Sequence, residues 1–196
     1  MAAATSGLAG FLSAEAGREA MGASNVSLKW QSEATFSYDR GMQLITHDQQ
    51  LLSDADVQET LGDINHDMTY YTIAENLRAK AYCVEMGYVN VDGTGSSKYN
   101  NNFGQAWGAF AQNTLADYNV FMNKSDANST KAKSFAGEAN AYLLATVIMA
   151  FGTVVAAAGT TLTQRPMRQF MLIIVGMIIA VTLFYILTIW LGLTGL

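Results

Sequence analysis

Two uncharged, predominantly apolar stretches close this chain, Ala139–Gln164 and Gln169–Leu196, and only Arg165-Pro166-Met167-Arg168 parts them. Each exceeds the roughly 20 residues that a helix needs to cross about 30 Å of hydrocarbon. So short a turn makes the two helices antiparallel neighbours. The pattern predicts a transmembrane hairpin over 139–196, with spans at 139–163 and 169–194, attached to a polar head over 1–138.

The head has no proline and no strand-like alternation of β-branched residues, which points to an all-α domain of about three helices. The first is expected over Ala14–Leu52. Met21, Leu28 and Met42 recur every seven residues with Thr35 in the gap, and Ser24, Gln31, Tyr38, Ile45 and Leu52 form a second row. Two such rows make the seam of a coiled coil or bundle, although about half of these positions are polar. Gly22 and Gly41 each count against this helix by about 1 kcal/mol relative to alanine. Ser53-Asp54-Ala55-Asp56 reads as a turn or helix start, because short polar side chains cap exposed N–H groups.

A second helix is expected over Val57–Met86, with Tyr70, Ile73, Leu77, Ala81 and Val84 at helical spacing and Gly62 marking a break. Residues 87–104 are the clearest loop, rich in glycine and asparagine, which tolerate positive φ. A third helix over Gln105–Met122 carries an aromatic row of Trp107, Phe110, Tyr118 and Phe121, with Thr114 in register. That row is a candidate interaction surface, or else the core of the head. Asn123–Lys133 reads as a polar linker into the membrane.

Inside lipid, helices attract one another largely through close backbone approach at small residues. Gly152, Ala156 and Thr160 lie four apart on the first span, and Gly176 and Ala180 do so on the second, so they are the candidate contact seam. Tyr142 and Trp190 fall near the outer ends, where amphipathic rings favour the interface. Neither span has an ionisable side chain other than tyrosine, which disfavours a channel or transporter and leaves anchoring.

Charge sharpens the division. All 16 acidic residues and nine of the 11 basic ones lie in the head, giving it −7 against +2 for the hairpin. Such a head is repelled by nucleic acid and by anionic lipid, since both are densely negative. Arg165 and Arg168 beside the tight turn favour a cytoplasmic turn and a head outside the cytoplasm; Lys131 and Lys133 argue the other way. The triplets at Asn25, Asn123 and Asn128 match the glycosylation acceptor, which functions only in an extracytoplasmic head. Met1–Ala14 is uncharged and mildly apolar, lacks a basic leader, and is too short to span alone. Cys83 is the only cysteine and is expected as a small buried apolar residue.

Candidate chemistry is sparse. His47-Asp48 and His66-Asp67 hold both histidines, and Asp63 stands three residues before His66. Carboxylate-bridged metal bundles need Glu-x-x-His on two helices and further glutamates, whereas here a single Asp-x-x-His occurs. Asp92-Gly93-Thr94-Gly95 and Lys98 lack the spacing of a phosphate loop, and an acidic residue there repels phosphate. Tyr70, Tyr71, Glu75 and Arg78 fit surface pairing along one helix.

Ala23-Ser24-Asn25 followed by Lys29-Trp30-Gln31, together with the hairpin and its Arg-containing turn, resembles the domain of unknown function 4337 family of prokaryotic membrane proteins. These regions cover less than half of the chain. Ser32–Tyr38 lacks the paired tyrosines of that family, and residues 87–104 are richer in glycine and asparagine than its usual charged helix. The resemblance implies a further membrane helix ahead of the tryptophan region, with Met1–Ala14 similar to its end. It implies no activity.

The expectation is a non-enzymatic, multi-pass protein of the cell membrane, without cofactor or metal, whose head binds a protein partner or a second copy. An accessory subunit of a larger membrane complex is the alternative, and a metal-dependent enzyme using His47 and His66 a more distant one. Nucleic acid and small-molecule substrates are not expected.

Overall fold

The computed structural model describes residues 2–161 and 164–191. The described chain is all-α: α1 (Ala2–Asn65), α2 (Met68–Ala79), α3 (Tyr82–Glu85), α4 (Phe103–Thr114), α5 (Ala116–Thr161) and α6 (Arg165–Trp190). A 3₁₀ turn covers Ser97–Tyr99, and a single bridge pairs Val89 with Gly95. The chain divides into two compact units, Met1–Leu28 with Ser125–Leu196, and Lys29–Lys124. Residues 1–28 and 125–138, which patterning assigns to the head, therefore cluster with the hairpin.

In the first unit the start of α1 lies on α5 and α6. Ala9 and Ala16 pack with Ala141, Tyr142, Ala145, Ile186 and Ile189. The Ser13 hydroxyl donates to the Ala139 carbonyl at 2.9 Å, and Ser27 and Ser125 each donate to the other's carbonyl, at 2.9 and 3.1 Å. Helix axes come this close only where side chains are small.

α5 and α6 are both long and apolar enough to cross a membrane. Only 28 % and 17 % of their apolar windows are buried, whereas a core helix of a soluble protein is mostly covered. The contact seam differs from the expected one. Gly152 faces Ile178, and a Cβ there would come within 3.2 Å of the isoleucine methyl; Gly159 faces Met171 in the same way at 3.0 Å. Ala156 is half-buried, but Gly176 and Ala180 are exposed, and α6 instead buries Val175, Thr182, Ile186 and Ile189. Two facing rows of small residues would leave a void. Glycines on one helix that seat large side chains of the other fill it.

Pro166 sits in the first turn of α6 rather than in a loop, where its missing N–H has no partner to lose. Residues 162–163 and 192–194 of the expected spans, and the ring of Trp190, lie outside what the structure describes.

In the second unit α1 runs straight through Ser53–Asp56, where a turn was expected. Leu52 and Ala55 are buried there, and Asp56 pairs with Arg78, so tertiary contacts hold the helix. It stops at His66, whose φ of +55° is left-handed, with the Asp67 N–H donating back to the Gly62 carbonyl at 3.3 Å. This is the Schellman ending, with histidine where glycine is usual. Asp67 then caps α2 through Thr69 N–H at 2.8 Å. Gly62 is not the break: it is the seat of the Tyr71 ring, which a Cβ would meet at 2.8 Å. The expected helix over Val57–Met86 is thus three pieces.

α4 begins two residues before the expected Gln105 and ends at Thr114, and α5 continues through the expected linker at 123–133. No glycine or proline interrupts that segment, and Ser125 is tied to Ser27.

The expected seam of α1 is also out of register. Met21, Ser24, Leu28, Gln31, Thr35 and Tyr38 are exposed, although Ile45 and Leu52 are buried. The buried row in the second unit is Ala34, Gly41, Asp48, Ala55 and Gly62, every seventh residue. Its continuation through the first unit by the same step is Ser27, Ala20, Ser13 and Ser6, all half-buried.

Gly152→Leu is expected to weaken the α5–α6 contact by about 1–3 kcal/mol through overpacking, while Gly176→Leu leaves it unchanged. Denaturant titration of the detergent-solubilised protein separates the two. His66→Gly is expected to raise stability by about 1 kcal/mol by relieving the left-handed histidine, read from the thermal midpoint.

Candidate functional site

The polar and aromatic density of the second unit gathers where α3, the 87–104 loop and α4 meet α1. α3 is a single turn whose own N-cap, Ala81, has no side chain to bond with. Asp48 supplies the cap from α1: its carboxylate is fully buried and accepts Tyr82 N–H at 2.9 Å and Cys83 N–H at 2.6 Å. A buried charge survives here because the free N–H groups of a helix start satisfy it. The Cys83 thiol is buried behind it. Burial, and then the Asp48 charge, push its pKa up to about 12, so it stays a thiol and is a poor nucleophile.

Arg78 is the second polar anchor. Its buried guanidinium binds Asp56 at 2.8 Å and also Glu59, and it lies beneath Gly93 of the loop. Burial by itself would lower its pKa, but the two carboxylates outweigh that and raise it. The loop is held from within. Asp92 accepts from the N–H and hydroxyl of Thr94, and Gly95 passes so close to Asn102 that a Cβ would lie 2.3 Å from its carbonyl oxygen.

The aromatic row is the centre of this packing. Phe110 is buried, with Trp107, Tyr88 and Tyr82 at centroid distances of 5.5, 5.7 and 6.2 Å. Tyr118 meets Tyr38 at 5.3 Å, and Phe121 stacks on Trp30 at 5.6 Å with the Lys124 ammonium 4.4 Å above the indole. Of the four residues considered as an interaction surface, Phe110 is core, and Trp107, Tyr118 and Phe121 spend their rings on other rings of the head. The row thus contributes to the packing of the head, one of the two uses expected of it, with Trp107, Tyr118 and Phe121 half-buried.

The histidines do not converge. His47 is exposed in an open hollow with Asp39, Gln43 and Gln50, and His66 is exposed at the end of the same helix. Nineteen residues of helix separate them by about 28 Å, beyond the reach of one metal ion. Among the described residues no three His, Cys, Asp or Glu side chains group as metal ligands. Surface hollows of about 240–440 Å³ run along α1, lined chiefly by Gln, Ser, Thr and Asp.

Asp48→Ala is expected to cost about 3 kcal/mol, because two buried N–H groups lose a charged acceptor. It should also open Cys83: maleimide labels the native wild type negligibly and the variant readily, with mass spectrometry as the readout.

No family model, curated protein or solved structure matches this chain.

Proposed function

We propose that this is a non-enzymatic integral membrane protein, anchored in the cell membrane by α5 and α6, whose helical head binds another protein or associates with itself. The observation that carries the anchor is the uncovered apolar surface of the two long helices. Phe170, Ile173, Met177, Val181 and Phe184 are all exposed, and water would not sustain so continuous a face. The α6 stretch from Gln169 onward has no charged residue to expose to lipid.

The start of α1 fits the same setting. Ala9 and Ala16 face α5 and α6 while Leu8 and Phe11 point outward, as the resemblance to the 4337 family implies for the end of a further membrane helix. That kinship and a multi-pass arrangement belong to this proposal. Arg165 and Arg168 beside the short connection between α5 and α6 support a head outside the cytoplasm, and the exposed Asn25 and Asn123 triplets are consistent with that side. An interaction role rests on side chains of the head that stand open beside a packed core, Phe36, Val57, Ile64 and Met68 among them.

Alkaline carbonate extraction followed by protease treatment of intact cells tests the reading. The full-length protein should stay in the membrane pellet, and the head should be digested from outside. Release into the supernatant removes the anchor; full protection of the head reverses its side.

A further inference from the structure

The α1–α2 elbow pairs an open apolar row with a one-sided charge. Val57 and Ile64 lie two helical turns apart, about 200° around α1 from the buried Ala55 and Gly62, and so face away from the packing. Met68 opens α2 four residues further on. These three are 54 %, 69 % and 76 % exposed. From residue 41 to residue 77 the chain has seven acidic side chains and no lysine or arginine. Asp48 is buried and Arg78 is shared by Asp56 and Glu59, which leaves Asp54, Asp63, Asp67 and Glu75 exposed around the elbow.

We propose that this elbow docks a basic, amphipathic helical segment of a partner protein, its apolar side on Val57, Ile64 and Met68 and its cations toward the flanking carboxylates. The proposal rests on the reading of the head as an interaction module and names the surface and the chemistry of the partner.

Charge complementarity selects this occupant. An anionic lipid surface is repelled, and so is a second copy, which would bring the same acidic elbow against itself. A helical segment matches the spacing, because anchors seven residues apart lie along one side of a helix and accept a parallel row. The elbow is also preorganised. The Asp67 N–H bond to Gly62, the Asp67 cap on Thr69 and the Tyr71 bond to Asp63 fix its shape, so little ordering cost falls on binding. The Asp67 carboxyl is held below its usual range, chiefly by the Thr69 N–H, and keeps its charge.

The test uses the full-length protein in nanodiscs of zwitterionic lipid and a fluorescein-labelled helical peptide of leucine and lysine with all leucines on one face. The control peptide has the same composition with its leucines spread around the helix. Anisotropy should report saturable binding of the first peptide only. Binding should weaken at least tenfold in Ile64→Ser with Met68→Ser, and again in Val57→Ser alone, while Phe36→Ser has no effect. Asp54→Asn with Glu75→Gln should weaken it and flatten its salt dependence. Equal binding of the two peptides, or indifference to the Val57 and Ile64 variants, overturns the proposal. These are surface positions, and unchanged circular dichroism excludes unfolding as the cause. A protein that cross-links elsewhere on the head while the elbow stays idle would sink this inference and leave the broader reading standing.

Discussion

The close approach of α1 to α5 is the constraint from which the rest of the structure follows. Within the first unit, hydroxyls at Ser13, Ser27 and Ser125 reach carbonyls of the opposite helix. Within the second, Gly41 lies so near the junction of α4 and α5 that a Cβ would meet the Leu115 side chain at 2.8 Å. Helices this close cannot hold large side chains between them, so apart from Asp48 the contact row is Ser, Ala and Gly. Small residues bury little apolar area, and each hydroxyl bond adds only about 1 kcal/mol net. The stabilising bulk has to be placed beside the seam rather than in it.

The second unit shows where that bulk goes. Phe110 gathers three rings around itself, and Trp30, Tyr38, Tyr118 and Phe121 pair alongside the narrow contact. Two buried polar side chains then fix the irregular part. Asp48, standing in the seam row itself, reaches the start of α3, and Arg78 gathers Asp56 and Glu59 beside the loop. Asp48 is satisfied by the two N–H groups, and Arg78 is paired through one terminal nitrogen with both carboxylates while its buried Nε stays unbonded. The loop between 87 and 104 is consequently built into the core, with Val89 buried and Tyr88 stacked on Tyr99.

This economy of packing bears on function. The rings and the buried charges are consumed by architecture, and the cysteine is sealed. What remains free is surface: an uncovered apolar flank on α5 and α6, and an acidic elbow with three open apolar side chains at the end of α1. Surfaces of that kind bind lipid and protein.

The all-helical class, the two long apolar helices and the loop at 87–104 were legible in the sequence, because length, missing proline and glycine–asparagine density act locally. The seam was not. The large apolar residues at heptad spacing, Met21 and Leu28, are exposed, whereas the buried row is Ala34, Gly41, Ala55 and Gly62, whose smallness was the signal. Gly41 counted as a cost in isolation and Gly62 as a break, yet both are seats for neighbouring side chains that only the tertiary structure brings there. Likewise the turn at Ser53–Asp56 and the linker at 123–133 had turn-like composition, and were overruled by Arg78 and by Ser27. The sequence alone determined the all-helical class and which segments shun water; distance between helices, a property of pairs, decided where helices run on and what each small residue is for.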